Sequence, residues 1–208
     1  MDSIIFDLDG TLWDPINTVL AAWNKQILAY DASKSPLTRK DFEGIMGMQL
    51  HEFSGILFPD MEEKERATLI NACCESEHAE IEKIGGNLYP NVEKVLKELS
   101  KKYPLFIVSN CNDGYIEAFY AYHKLDPYFQ DFENPGRTGL SKGENIQLVM
   151  ERNNLSAPIY IGDTDGDRRS AEFAGIPFVY AAYGFGKVDG YDMKIESVEE
   201  LLTKIDYI

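Results

Sequence analysis

Two aspartates one residue apart, Asp7 and Asp9, follow the apolar run at residues 3–6 and lead into Gly10 and Thr11. Similar apolar runs precede Ser109 and Asn110, and also Asp163, with Asp167 four residues on; Lys142 opens a helical pattern between them. Four separate segments thus offer carboxylates, a hydroxyl, an amide and a cation. That set suits phosphoryl transfer, which needs a nucleophile, neutralised charge around the equatorial oxygens and an acid for the leaving group. A carboxylate can be the nucleophile, forming an aspartyl phosphate that water later hydrolyses. Two anions meet only with a cation between them, and Mg²⁺ favours a few carboxylates with waters and phosphate oxygens. Asp7 and Asp163 fit as its ligands, with Asp167 either a ligand or an acid behind them. Lys142 and Ser109 would hold the transferring group, helped by backbone N–H groups at Asn110 and in the turn after Asp7. Asp9 is placed to protonate the leaving alcohol and then activate water. Gly10 permits the sharp exit and Thr11 braces it.

The elements that must position these groups are legible as patterns. Runs rich in Ile, Val, Phe and Tyr at 3–6, 105–108, 159–161 and 178–182 do not alternate with polar residues. They read as strands buried on both faces, as in a parallel sheet. Helical patterns separate the later ones: 91–103 with Val92, Val95, Leu96 and Leu99 on one face, 142–155 with Ile146, Val149 and Met150, and 197–205 with a capping box of Ser197 and Glu200. Alternating strands and helices predict an α/β fold, a Rossmann-like parallel sheet with helices on both faces and right-handed crossovers. In such a sheet ligands sit beyond the carboxyl ends of the strands, where Asp7, Ser109, Asn110 and Asp163 all fall. Between the first two strands the rhythm breaks into helices at 17–30, after Thr38 with Asp41 three residues on, and at 61–84, ended by Gly85-Gly86. A helical insert of roughly 70 residues is too much for one crossover. The expected organisation is therefore a core of residues 1–14 and 87–208 and an all-helical cap of 15–86, with hinges near 12–16 and 85–90.

Composition narrows the partners. The 208 residues carry 20 Lys and Arg against 35 Asp and Glu, a net charge of −15. That charge argues against nucleic acid, whose binding depends on neutralising phosphates. It leaves small anionic substrates open, because a divalent cation or a cluster of donors can reverse the sign of a pocket. No apolar run approaches the ~18 residues of a membrane span, and no basic segment or signal-type apolar stretch opens the chain. Cys73, Cys74 and Cys111 show neither metal-ligand spacing nor a disulfide framework and read as reduced thiols. A cytoplasmic protein is expected.

"DLDGTL" (7–12), "VSN" (108–110), "SKG" (141–143) and "IGDTDGD" (161–167) resemble, in order, the four motifs of the haloacid dehalogenase-like hydrolase superfamily. "RRSAEFAGI" (168–176) resembles the helix that follows the fourth. The resemblance covers the whole chain, and within the superfamily it is most similar to phosphoglycolate phosphatase-like members. It implies a Mg²⁺-dependent phosphomonoester hydrolase with Asp7 as nucleophile and Asp9 as general acid/base. The implied metal ligands are Asp7, the main-chain carbonyl of Asp9, Asp163 and Asp167. It further implies a small phosphorylated metabolite as partner and a monomer or weak dimer. A sugar-phosphate mutase shares all four motifs and is the enzymatic alternative. A non-catalytic phosphate-binding module is the other, although Asp7, Asp9, Lys142 and Asp163 are intact.

Other features read more plainly. "DTDGD" (163–167) starts like an EF-hand loop, but Arg168 and Ala174 replace the expected glycine and glutamate, which excludes calcium. "GFGKVDG" (184–190) lacks the dinucleotide-binding spacing. His51, His78 and His123 are scattered and expected on helix surfaces. Trp13 and Trp23, near the first hinge, are expected in the core rather than walling a pocket. Arg39 and Lys40 in the cap are solvated cations or else recognise a second anionic group on the substrate; in the latter case Arg39→Ala raises KM for anionic substrates while sparing a neutral aryl phosphate.

Overall fold

Alternate residues of the apolar runs divide between two cores. Ile4, Phe6, Leu105, Ile107, Ile159 and Ile161 pack together in one. Ile5, Phe106, Val108, Tyr160 and Phe178 pack in the other. A strand's side chains point alternately to its two faces, so runs apolar at every position must be covered on both. Each such side chain contributes about 1.5–3 kcal/mol on burial.

The computed structural model describes residues 1–208, apart from the side chain of His51. In chain order the elements are β1 (Ser3–Phe6), β2 (Trp13–Asp14), α1 (Ile16–Tyr30), α2 (Arg39–Glu43), α3 (Leu50–Leu57), α4 (Glu63–Ile84), β3 (Asn87–Leu88), α5 (Val92–Leu99), β4 (Leu105–Val108), α6 (Tyr115–His123), β5 (Phe129–Glu133), α7 (Pro135–Thr138), α8 (Lys142–Asn153), β6 (Pro158–Gly162), α9 (Asp165–Ala174), β7 (Phe178–Ala181), β8 (Met193–Ile195) and α10 (Leu201–Lys204). Six strands form one sheet in the order β5-β4-β1-β6-β7-β8, and all its pairings are parallel. The chain leaves β1 toward β4 and β5, then returns to β6 on the other side of β1. The carboxyl end of β1 therefore lies where the strand order reverses, the crevice that open α/β sheets offer to ligands. This is the Rossmann-like parallel sheet anticipated from the apolar runs. Ile146 and Val149 of α8 and Ala171 of α9 join the Ile5 core. Val92, Val95 and Leu96 of α5, Ile116 and Phe119 of α6 and Leu201 of α10 join the other.

Helices α1 to α4 occupy the stretch between β2 and β3, with no sheet strand among them. The two connections to this stretch pair with each other as a short antiparallel ribbon, Trp13 opposite Leu88 and Asp14 opposite Asn87. Thr18 Oγ1 ties α1 to this exit by donating to the Gly85 carbonyl at 2.5 Å. The anticipated capping box at Ser197 and Glu200 does not form. Ser197 makes no side-chain cap, and the Glu200 carboxylate instead accepts from Glu196 N and Lys204. A 3₁₀ turn at Val198–Glu200 precedes the short α10. His78 and His123 are half-buried rather than on the surface, and His123 packs edge-on against Trp13 at 5.5 Å. The side chain of His51 lies outside the described residues. Trp13 and Trp23 are both buried in the core.

Candidate active site

The backbone N–H of Asp7, the first residue past β1, donates to Ile161 O of β6 at 2.8 Å, so the sheet itself fixes the start of the turn. Gly10 follows at φ +82, in the left-handed region, and a Cβ there would overlap the Asp163 carboxylate. Only glycine satisfies both demands. Thr11 is fully buried, and its carbonyl accepts from Tyr183 Oη at 2.8 Å.

Lys142 and Asp167 are delivered by capped helices. Ser141 and Glu144 form a reciprocal capping box that starts α8 at Lys142. Thr164 and Asp167 form another at the start of α9. Such pairs satisfy orphan backbone donors at helix starts, and here they also aim functional side chains. Lys142 Nζ donates to Asp7 Oδ1 at 2.8 Å and to Asp167 Oδ1 at 2.6 Å. Asp167 Oδ2 accepts from Thr164 N at 2.9 Å, Thr164 Oγ1 at 2.7 Å and Asp163 N at 3.2 Å. Both oxygens of Asp167 are thus engaged. Asp163 Oδ2 accepts from Phe185 N at 2.6 Å, whereas its Oδ1 is buried without a partner.

The charges are strained. Burial pushes the Asp7 carboxyl up to about 7; Asp167 adds to this and Lys142 opposes it. Burial likewise raises Asp163 well above its ordinary value, with Asp167 and Asp7 adding. At Asp167 burial is outweighed by the Lys142 charge and by bonds from Lys142 and Thr164, which hold it below the usual carboxylate range. Burial opposes the charge of Lys142 too, yet Asp167 and Asp7 keep it protonated, with a value well above the ordinary one. Asp7, Asp163 and Asp167 each offer a ligand oxygen, all within 4.8 Å of one another. Three buried carboxylates against one lysine leave an excess of negative charge. Hard oxygens, that excess and the orphaned Asp163 Oδ1 fit a small divalent cation such as Mg²⁺. Asp163 Oδ1 is open and Asp7 Oδ1 has the single donor Lys142, whereas a cation on Asp167 would have to compete with five donors, Tyr160 Oη among them.

Asp9 stands apart from this cluster, on the side of the helical segment. Its Oδ1 accepts from Trp13 Nε1 at 2.6 Å and Tyr115 Oη at 3.0 Å. Burial pushes its carboxyl up to about 6 against those two bonds. Ser109 is buried at the end of β4, its N–H donating to Glu133 O at 3.3 Å. Asn110 Nδ2 donates to the Gly47 carbonyl of the helical segment at 2.8 Å, and its Oδ1 is a buried orphan. Asp7, Lys142, Asp163 and Asp167 therefore converge in one cluster, Asp9 and Asn110 share the wall of an adjoining cavity, and Ser109 lies buried at the end of the strand next to β1.

Arg39 and Lys40 do not join them. Arg39 pairs with Asp14 and with Glu43, the latter at 2.8 Å, and Lys40 is exposed. Neither lines the cavity of about 560 Å³ that opens beside Asp9, between α1–α4 and the loop after β4. Trp23 does line it, and so does Glu77 of α4.

Four participants are not announced by the sequence. Trp13 and Tyr115 orient Asp9 through bonds that ordinary core aromatics do not announce. The loop after β7, dismissed as a failed dinucleotide motif, presses on Asp163: a Cβ on Gly184 would overlap the Asp163 side chain and the Gly10 carbonyl. Gly184→Ala is therefore expected to destabilise the fold by about 1–3 kcal/mol, readable by a thermal melt. A melt unchanged from wild type would deny that close packing.

Glu77 is the fourth, though its signal is present in the sequence. Ile70, Cys73, Cys74 and Ile81 form the buried stripe of α4, and Glu77 falls on it. Trp23 Nε1 donates to its Oε2. Burial pushes the carboxyl up to about 8 against that bond, with the charge of Asp9 adding. In the unfolded chain the value is about 4.3, so across that window the native state holds a proton the unfolded state has lost. Stability must then fall as pH rises, by up to about 1.4 kcal/mol per pH unit. Glu77→Gln removes this slope, and its melting temperature is expected to gain on wild type between about pH 5 and about pH 8. A difference flat with pH would mean that the native carboxyl is already ionised.

A parallel sheet with carboxylates, a lysine and a helix-capping acid gathered at its reversal point defines a hydrolase of the haloacid dehalogenase-like kind. The chain belongs to that family: the profile described as "Haloacid dehalogenase-like hydrolase" matches residues 4–181, and the chain is an enzyme of that class. It is similar to the phosphoglycolate phosphatase of Vibrio parahaemolyticus serotype O3:K6, 26% identical over 222 aligned positions that cover 97% of this chain and 95% of the other. The phosphoglycolate phosphatase of Rhodobacter capsulatus is 29% identical, covering 89% and 86%. Among solved structures, the hydrolase SP0104 of the haloacid dehalogenase-like family from Streptococcus pneumoniae superposes with a TM-score of 0.84 at 22% identity, covering 99% and 98%. CbbY from Rhodobacter sphaeroides, in complex with xylulose-(1,5)bisphosphate, gives 0.80 at 17%, covering 97% and 96%. These two share the fold. No helix among the described residues is long and apolar enough to cross a membrane.

Proposed function

We propose that the protein is a Mg²⁺-dependent phosphatase that hydrolyses a small phosphomonoester through an aspartyl phosphate on Asp7. The observation that carries this reading is the buried cluster in which one lysine bridges Asp7 and Asp167 while Asp163 keeps an unpartnered oxygen. The phosphatase relatives support the same chemistry. Asp7 Oδ1 is held by Lys142, which leaves Oδ2 to attack phosphorus in line with the leaving oxygen. Asp9 keeps Oδ1 under Trp13 and Tyr115 and directs Oδ2 to the leaving alcohol, giving it a proton and later taking one from the attacking water. Lys142 and Ser109, with the N–H of Asn110, hold the phosphoryl oxygens. Asp7, the Asp9 carbonyl and Asp163 would hold Mg²⁺, which when bound neutralises charge between nucleophile and phosphate. Asp167, saturated with donors, orients Lys142 rather than taking the metal directly.

Residues 15–86 act as a cap over the core formed by 1–14 and 87–208, with the β2–β3 ribbon as the joint. Contact of Gly47 O with Asn110 is the closed position of that cap. Three free thiols, two of them buried, suit a reducing compartment such as the cytoplasm.

Phosphate release from a panel of phosphomonoesters, with Mg²⁺ and with EDTA, tests the reading. Release is expected with the metal and to fall at least about 100-fold when it is chelated. Undiminished release in EDTA would refute the metal assignment.

A further inference from the structure

The cavity beside Asp9 is on the leaving-group side of the site: its walls include Asp9, Asn110 and Cys111 but not Asp7, Lys142 or Asp163. Its occupant is therefore the part of the substrate that departs. At about 560 Å³ the space falls in the range that holds a drug-sized ligand, whereas a two-carbon glycolate would leave most of it empty. The walls on the helical side are apolar and aromatic, Ile16, Val19, Trp23, Phe42 and Phe53 among them.

The polar groups fix the sign of what fits. Asp9, Glu63 and Glu77 line the cavity, and among the described lining residues Arg66 is the only cation. Arg66 Nη1 lies 3.5 Å from Phe58 O and 3.4 Å from Met61 O, in the connection before α4. Among the described residues, no cation acts on Glu77. Trp23 donates to one of its oxygens, Asp9 is the charge acting on it, and the groups near it are Cys73, Cys74, Cys111 and Tyr115. A buried carboxyl with no compensating charge costs stability. A ligand ammonium or hydroxyl donating to the second oxygen favours the ionised carboxyl and recovers that cost, while a ligand carboxylate would reinforce the protonated form that burial imposes and would meet the charge of Asp9 in the same cavity.

Resting on the phosphatase reading, we propose that Glu77 selects the leaving group. The substrate is a phosphomonoester of an alcohol with an apolar or aromatic body and a hydrogen-bond donor, an ammonium or a hydroxyl, that reaches Glu77, and with no second anionic group. The chain thereby differs in substrate class from its phosphoglycolate-hydrolysing relatives.

The test uses four benzyl phosphates that differ only at the para position, carrying aminomethyl, hydroxymethyl, methyl or carboxylate, beside 2-phosphoglycolate. kcat/KM is measured with Mg²⁺ for wild type and Glu77→Gln. Binding of the four phosphate-free alcohols to the metal-free protein is measured in parallel by calorimetry. A donor-bearing ester is expected to exceed the carboxylate ester and 2-phosphoglycolate by about tenfold or more. That preference should shrink by about tenfold in Glu77→Gln, and the free alcohols should bind in the same order. The aminomethyl and hydroxymethyl arms separate an amine from a polyol. Best turnover of the carboxylate ester or of 2-phosphoglycolate, or an order unchanged in Glu77→Gln, overturns the proposal. Turnover of no ester at all, with the free alcohols still binding in the donor order, would leave the selection by Glu77 supported and defeat the phosphatase reading instead. Glu77→Gln removes an unpaired buried acid and keeps an acceptor for Trp23, so it is expected to fold; a melt of the variant checks this.

Discussion

Asp7→Asn is expected to lower kcat by at least about 10³-fold, while the protein keeps its fold and its affinity for substrate within a small factor. The amide has nearly the shape of the carboxylate and its oxygen can still accept from Lys142, but it cannot attack phosphorus. The substitution also removes one of three crowded acids, since Asp167 lies close enough to raise the Asp7 carboxyl further than burial alone does. A melting temperature equal to or above that of wild type is therefore part of the same expectation. Steady-state phosphate release and a melt read the two together. Loss of activity accompanied by loss of fold would assign Asp7 a structural role instead.

Lys142→Met is expected to fail in both respects. The lysine is buried, bonded to Asp7 and Asp167, and is the cation that the three clustered carboxylates share. Breaking a buried pair by removing one partner costs about 3–5 kcal/mol, because the acids remain without their counter-charge. For a chain of this length that is a fall in melting temperature on the order of 10 °C. Activity should fall by about 10²–10³-fold through loss of transition-state charge neutralisation. Lys142→Arg keeps the charge but not the fit in the slot between Asp7 and Asp167, so it is expected to recover more of the stability than of the rate. A Lys142→Met enzyme with wild-type kcat would remove the lysine from the proposed mechanism.

What could be read from the sequence divides along physical lines. The central strands were legible because a strand covered on both faces is apolar at each position, as in "LFIV" at 105–108. The edge strands β5 and β8 were not: "FQDFE" and "MKI" mix polar and apolar residues because edges meet solvent. Strands β2 and β3 are two residues each, too short to carry any period. Helix α3 was hidden in a stretch with no Ser, Thr, Asp or Asn cap to announce it; Gln49 opens it instead. Asp7, Asp9, Lys142 and Asp163 were legible because local rules place them: strand ends for the acids and a capped helix start for the lysine. Trp13, Tyr115 and Phe185 act on those acids through tertiary contacts, and no local rule encodes these. Arg39 was chosen for its charge alone, and the fold pairs that charge with Asp14. Glu77 could have been found, as the one carboxylic acid on the buried stripe of its helix.

The covalent step is the central claim, and it can be observed directly. Wild-type enzyme, Mg²⁺ and a good phosphomonoester are mixed, quenched in acid during turnover and digested, and the peptides are mapped by mass. The account predicts one phosphoryl group on the peptide containing Asp7, chased by excess unlabelled substrate and absent from Asp7→Asn. Rapid turnover with no phosphorylated peptide at any quench time, or a phosphoryl group on a residue other than Asp7, would contradict it.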